Sequence, residues 1–365
     1  VINILEPCLN GNEKKYIVEC IEENWISSQG RFVSAFEEAS LRGLDGRVAL
    51  ATCNGTVAIH LALLALDVKP GDEVIVPNIT FGATLNAVMY TGAIPVIVDI
   101  DEDDWNMSRT NLNDALSDKT VAVIPVALFG NPTGITELAD WAYGQGIKTV
   151  IDAAEAVGSI VNGCDIGGIG DVVTYSFFGN KTITTGEGGI VIFKDPSIAE
   201  KARVLRDHGM TPGRRYHHEV VGFNYRMTNL QAAVGVAQYE KLNEIIEKRT
   251  KVVERYRANL DNNSVYFQKV SESAKSSNWI CAVLLPKDAL LRVATELENN
   301  DIGFRRCFEP MAEQPAFSSA RVVGELKTSR DIFERLLMLP THVNLTNDDV
   351  DYISACFLRG LSSSG

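Results

Sequence analysis

From residue 47 to residue 193 the chain alternates short apolar, β-branched runs with stretches of helical periodicity. That alternation restricts the fold more than any other feature. The apolar runs fall at 48–51, 73–76, 95–98, 121–128, 149–151, 172–178 and 190–193, and helical patterns occupy most of the gaps, at 56–66, 84–90, 111–116 and 135–143. Apolar runs of this kind mark strands covered on both faces, and the helices between them supply the cover. The expectation is an α/β fold on a mostly parallel seven-stranded sheet. Ligands of such sheets gather beyond the carboxyl ends of the strands, so the residues that follow each run are the ones to read for chemistry.

The first run leads into Cys53-Asn54-Gly55-Thr56 at the start of a helix. A glycine and a hydroxyl at a helix N-terminus can cradle a phosphate with backbone N–H groups and the helix dipole, although Asn-Gly-Thr also serves as a plain cap. The second run leads to Phe81, an aromatic near a strand end, and the fourth to a turn at Phe129-Gly130-Asn131-Pro132. The fifth ends in Asp152, followed by small residues and Glu155. The sixth delivers Ser176 and then Lys181, which stands between two apolar runs beside Gly186, Gly188 and Gly189. Burial disfavours the ammonium form of a lysine, and only the free amine attacks a carbonyl to form a Schiff base. Taken alone, Lys181 fits a hairpin lysine reaching for water equally well.

The ordered set narrows the choice. A phosphate cradle, an aromatic plate, a buried acid and a desolvated lysine are what pyridoxal 5′-phosphate (PLP) requires: the aldehyde needs the lysine, the ring nitrogen a carboxylate, the phosphate its donors and the ring a flat neighbour. Two competing motifs fail. Asn180 stands where a P-loop needs glycine before its lysine, and no G-x-G-x-x-G follows the first strand.

A formal net charge of −13 argues against a nucleic-acid partner. Seven scattered cysteines without a C-x-x-C pair fit reduced thiols and offer no metal site. With no apolar run near the ~20 residues of a membrane span, a soluble cytoplasmic protein is expected. Before the alternating region, helices are expected at 13–23 and 31–40, joined by a turn at Trp25-Ile26-Ser27-Ser28 that is either a helix entry or a hydroxyl-bearing loop over a site. Beyond 194 the chain is more charged and more helical. A loop carries His217 and His218, in a surface or substrate-lid role rather than as metal ligands. Thr228 or Asn229 caps a long helix at 230–255. The composition shift that follows divides the chain into a large domain, 1–245, and a small α+β domain, 246–365. The small domain is expected to hold a strand at 280–285, helices at 289–298 and 329–337, and a serine-rich tail at 362–364. Arg305 and Arg306 follow the turn at Gly303 and suit an anionic ligand.

Six segments together, Asn54-Gly55-Thr56, Thr80-Phe81, Asp152 to Glu155, Ser176 to Lys181, Thr185 to Gly189 and Asn224 to Asn229, resemble the DegT/DnrJ/EryC1/StrS sugar aminotransferases over about residues 5–345. The resemblance implies PLP fold type I and a homodimer with shared active sites. Lys181 would carry the cofactor and move protons, and Asp152 would meet the ring nitrogen. Glu155 would sit by the ring hydroxyl, Phe81 would stack on the ring, and Gly55, Thr56 and Ser176 would bind the phosphate. Asn229 would reach the phosphate from the neighbouring subunit. Trp25, Ser27, His218 and Arg306 become candidates for contact with substrate. The implied reaction transfers an amino group from L-glutamate to C4 of a nucleotide-linked 4-keto-6-deoxy sugar, for surface polysaccharide or glycoside synthesis. A dTDP- or UDP-linked sugar, a C3 ketone, or a non-catalytic binding protein of the same fold are the alternatives. A dehydratase branch of the family carries histidine at the position of Lys181, so the lysine favours amino transfer. The segment 306–313 lacks the histidine of its relatives' Pro-Val-x-x-Pro-x-His pattern.

Overall fold

The computed structural model describes residues 1–110, 112–261 and 264–362. Two helices, α1 (Glu13–Glu22) and α2 (Arg31–Ala39), precede the alternating region. That region runs β1 (Val48–Thr52), α3 (Gly55–Ala65), β2 (Glu73–Pro77), α4 (Ala83–Tyr90), β3 (Ile94–Val98), β4 (Thr120–Val123), α5 (Ile135–Gln145) and β5 (Lys148–Asp152). A small hairpin, β6 (Ile160–Val161) and β7 (Cys164–Asp165), leads to β8 (Val172–Ser176), β9 (Gly189–Phe193) and α6 (Pro196–Arg206). Next come α7 (Asn229–Glu240), α8 (Leu242–Leu260), β10 (Tyr266–Phe267), β11 (Ala274–Lys275), β12 (Cys281–Leu284), α9 (Leu290–Asn299) and β13 (Arg305–Arg306). The chain closes with β14 (Arg321–Val322), α10 (Lys327–Arg335), β15 (Leu336–Leu339) and α11 (Asn347–Ser362).

Among the described residues the main sheet has eight strands in the order β1-β9-β8-β5-β4-β2-β3-β14. β9 runs antiparallel to both of its neighbours, and the other pairings are parallel. All seven expected strands are present. The eighth, β14, is a two-residue edge strand added from far along the chain, too short to leave a pattern of its own. The fourth strand closes at Val123 rather than 128, because Pro125 has no N–H to continue the ladder. The helix expected at 111–116 is a 3₁₀ turn over Leu112–Ala115, and residue 111 lies outside the described residues.

Helices cover both faces of the sheet. α3 is apolar on every side because it is wedged between the sheet, α4 and α6, and its Leu61, Ala62 and Leu63 are fully buried. Each such leucine contributes about 1.5–3 kcal/mol relative to an exposed one. On the opposite face Phe36 of α2 packs edge-on against Phe177, with ring centroids 5.0 Å apart, and Tyr239 of α7 joins them. The long helix expected at 230–255 is two helices, broken at Lys241 (φ −111°). Thr228 caps the first through a reciprocal bond with Gln231, a capping box.

A second sheet, β10-β12-β15-β13, lies in the C-terminal third. The helix expected at 329–337 stops at Arg335. Leu336 and Leu337 instead open β15, whose four buried apolar residues pair with both β12 and β13. A continuous apolar run ahead of Pro340 suits a central strand better than a helix with one wet face. The tail positions 363–364 lie outside the described residues. No helix among the described residues is long and apolar enough to cross a membrane.

Candidate active site

The carboxyl ends of β1, β2, β5 and β8 converge on one cavity of about 580 Å³. After β1, the Asn54 side chain accepts a hydrogen bond from Val57 N at 3.0 Å and so starts α3. The first-turn N–H groups of Gly55 and Thr56 have no carbonyl within the helix to bond and line the cavity. A side chain at position 55 would not fit there: its Cβ would meet Ser176 Cβ at 2.8 Å. The close approach of α3 to the end of β8 therefore depends on glycine, and Gly55, Thr56 and Ser176 line the same cavity. Phe81, beyond β2, lines the same cavity with 64% of its surface exposed, an unusual cost for an aromatic side chain.

Asp152, the last residue of β5, is 5% exposed. Its Oδ2 accepts from Thr84 Oγ1 at 2.7 Å and its Oδ1 from Ala154 N at 3.1 Å, while Thr80 Oγ1 stands 2.8 Å from Thr84 Oγ1. Burial pushes the Asp152 carboxyl above its ordinary range, opposed first by the Thr84 bond, then by the Ala154 N–H and Lys181. Burial likewise raises Glu155, opposed first by the charge of Lys181 and then by the Phe129 N–H. That N–H donates to Glu155 Oε2 at 2.8 Å from a residue in the left-handed region (φ 60°), a conformation a phenylalanine adopts at a cost. Lys181 points into the cavity with its side chain 13% exposed, and its Nζ lies 3.4 Å from Glu155 Oε1.

These residues fit PLP. A buried acid lines the cavity, an aromatic ring is 64% exposed to it, a cradle of N–H groups exists only because residue 55 lacks a side chain, and an amine sits beside a second acid. The model of the DegT/DnrJ/EryC1/StrS aminotransferase family matches residues 7–358. The chain belongs to the DegT/DnrJ/EryC1/StrS aminotransferase family. It is 38% identical to a GDP-perosamine synthase of Vibrio cholerae, covering 98% of each chain. It is 40% identical to another from Caulobacter vibrioides, covering 97% of this chain and 96% of that one. Among solved structures, the PLP form of the putative sugar aminotransferase Spr1654 from Streptococcus pneumoniae superposes with a TM-score of 0.90. It is 26% identical and covers 99% of this chain and 98% of that one. As a member of the family the chain is a PLP-dependent sugar aminotransferase of PLP fold type I.

Of the residues singled out from the sequence, Gly55, Thr56, Phe81, Asp152, Glu155, Ser176 and Lys181 meet in the cavity. Five others do not line it. Asn229 is 0% exposed and its side chain is fully engaged within its own chain. Its Oδ1 accepts from Phe32 N at 3.0 Å, and its Nδ2 donates to Trp25 O at 2.7 Å and faces Cys20 Sγ at 3.2 Å. It holds the 25–32 segment, and no atom is left to reach a phosphate of another subunit. Trp25 and Ser27 are exposed and meet Asn229 through their carbonyls, the latter accepting its backbone N–H at 2.7 Å. His218 is exposed on a loop, where its Nδ1–H donates to His208 O at 2.8 Å. Arg306 lies over the ring of Phe333, 5.5 Å from its centroid. Its neighbour Arg305 lines the cavity instead, because successive residues of β13 face opposite sides.

A further wall comes from the ends of β12 and β13: Trp279, Arg305 and Phe308, of which sequence reasoning missed Trp279 and Phe308. Trp279 sits 4.4 Å under Lys181 Nζ. Phe308 joins Phe81 and Phe129 with centroids 6.1 Å from each, so one aromatic surface runs from the mouth of the cavity to the lysine. Nothing in the sequence marks Trp279 or Phe308, and of the arginine pair the candidate for substrate contact is Arg306, whereas Arg305 is the one that lines the cavity.

Proposed function

We propose that this aminotransferase moves an amino group from L-glutamate to C4 of a nucleotide-linked 4-keto-6-deoxyhexose, a reading supported by its similarity to proteins named GDP-perosamine synthase. The observation that carries the proposal is Lys181 Nζ in a cavity with a buried Asp152 and a phosphate cradle, together with near full-length identity of 38–40% to two GDP-perosamine synthases. PLP, when bound, supplies the electron sink that lets a proton leave the substrate carbon.

The chain's own residues do the rest. Asp152, with both oxygens oriented by Thr84 and Ala154, holds a cationic ring nitrogen, and that charge offsets the burial that raises its own pKa. Gly55, Thr56 and Ser176 take the phosphate, Phe81 covers one ring face, and Glu155 stands by the ring hydroxyl. In each half of the reaction Lys181 Nζ would carry a proton between the substrate carbon and the cofactor, and Glu155 would hold the ammonium formed during that transfer. Arg305 and Lys181 are the cations among the described residues that line the cavity. Lys181 is matched to Glu155, so Arg305 is left for a substrate carboxylate or phosphate. A large domain of residues 1–245 would then supply the cofactor site, and a small domain of 246–365 would close over it. A second copy of the chain would complete the site by covering the exposed Phe81, Tyr90 and Phe178, which line the cavity.

The test incubates the enzyme, PLP and L-glutamate with GDP-, dTDP- and UDP-linked keto-sugars bearing the ketone at C3 or C4, and identifies the product by mass and NMR. A GDP-linked 4-amino-4,6-dideoxyhexose is the expected product. Turnover confined to C3 ketones or to another nucleotide overturns the substrate assignment.

A further inference from the structure

Five contacts close a ring around the lysine. Its Nζ lies 3.4 Å from Glu155 Oε1 and 4.4 Å from the centroid of the Trp279 ring. The other oxygen of Glu155 accepts the Phe129 N–H, and the Phe129 ring stacks on Trp279 with centroids 6.5 Å apart and planes at 21°. Trp279 closes the ring by donating Nε1–H to the carbonyl of Asn180 at 2.7 Å, the residue just before the lysine. One side chain, 2% exposed, thus grips the backbone that carries the amine and faces the amine itself.

Behind Trp279 stands a buried arginine with no role in the chemistry. Arg249 of α8 is 2% exposed and has no carboxylate at ion-pair distance among the described residues. Its Nη1 donates to Trp279 O at 2.6 Å and to Thr341 O at 2.9 Å, and burial lowers its pKa to about 10. Burying an unpaired guanidinium costs stability that an apolar side chain of similar volume would avoid, so the return has to come from what it holds still. What it holds is the backbone of Trp279, at the point where the chain enters β12.

We propose that Trp279 is a positioning residue for Lys181: its indole N–H fixes the Asn180 carbonyl, and its ring face seats the lysine ammonium beside Glu155, returning the amine to one place in both halves of the reaction. The inference rests on Lys181 being the proton carrier. A carboxylate on one side and a π face on another restrict Nζ in two directions, which neither does alone. A desolvated cation–π contact of this kind is worth on the order of tenfold in an equilibrium.

Fluorinated tryptophans test the ring face without altering its shape or removing its N–H. Enzyme grown with tryptophan, 5-fluorotryptophan or 5,7-difluorotryptophan gives a series of weakening π faces. Two readouts are taken: kcat and KM of the PLP-loaded enzyme for both substrates, and the rate at which trinitrobenzenesulfonate modifies Lys181 in the full chain freed of cofactor, followed by peptide mass. The series should lower kcat and speed modification of Lys181 by roughly three- to tenfold, with KM for both substrates within about twofold. The same series in a Trp279→Phe background should be flat, which assigns the effect to this tryptophan among the four in the chain. Trp279→Phe itself keeps a ring and loses the N–H, and should lower kcat by about fivefold. A flat series in the unmutated chain, a change confined to KM, or an unaltered kcat in Trp279→Phe overturns the proposal. If Lys181 were not the proton carrier, Lys181→Ala would retain turnover while the modification rates still followed the fluorines, so the two failures are distinguishable.

Discussion

The cavity has two walls, and they differ in how they are built. The first is made of strand ends: Gly55, Thr56, Phe81, Asp152, Glu155, Ser176 and Lys181, each at the last residue of a main-sheet strand or a few residues past it. The second, Trp279, Arg305 and Phe308, lies in or next to strands of a different sheet about a hundred residues further along. The first wall uses hydrogen bonds and charge at a cofactor's polar groups. The second uses aromatic area and one guanidinium that has no ion pair among the described residues. The difference teaches that a parallel sheet gathers chemistry automatically, because all its carboxyl ends point one way, whereas a wall from a separate sheet has to be brought in by packing.

The largest effect tests the first wall at its centre. Lys181→Ala should lower kcat by about 10³-fold or more while leaving the melting temperature close to that of the parent, as measured by steady-state kinetics and calorimetry. Turnover within tenfold of the parent would mean that the lysine is not the proton carrier and would dissolve the contrast between the walls.

Asp152→Asn should lower kcat by about 10²-fold, and it also tests the cost of burying the acid. Burial raises the folded-state pKa of Asp152 above the ordinary value of 3.8. The folded chain therefore binds more protons than the unfolded one between those two values, and stability falls as pH rises through that window. With cofactor removed, Asp152→Asn should melt higher than the parent at pH 8, and the gap should shrink toward pH 4. A gap that widens as pH falls contradicts the burial argument.

A smaller effect separates the two faces of one short strand on the second wall. Arg305→Gln should raise KM for one substrate by about five- to tenfold, and Arg306→Gln should change it by less than about twofold. Equal effects would mean that the alternation along β13 does not decide which arginine meets the ligand. The least effect on activity belongs to Asn229. Asn229→Ala should lose about 1–3 kcal/mol of stability by chemical denaturation, with kcat and PLP affinity nearly unchanged. A large loss of PLP affinity without loss of stability would restore it to the cofactor site.

The fold was legible where local pattern and global architecture agree. Seven buried strands are readable because covered strands leave apolar runs, and a helix cap at Thr228 or Asn229 because capping residues act locally; the structure settles it on Thr228, through its reciprocal bond with Gln231. The errors share one physical cause. Leu336 and Leu337 were read as the end of a helix because a short apolar run has the same look in either element, and only its pairing with β12 and β13 makes it a strand. β14 escaped notice because two residues show no periodicity. Asn229 was read as a cofactor ligand from its place in a motif, yet its side chain is held inside the chain by Phe32, Trp25 and Cys20, partners some two hundred residues away.

From its residues alone this chain determined an α/β sheet and the order in which a phosphate cradle, an aromatic plate, an acid and a lysine appear at the ends of its strands. Those depend on spacings of a few residues and on the common direction of parallel strands. Tertiary structure alone decided that Trp279 lies beneath Lys181, that Arg305 rather than Arg306 enters the cavity, and that Arg249 is buried behind them. Each depends on contacts between segments far apart in the chain, and the free energy of such contacts is set by packing, which no local stretch of sequence encodes.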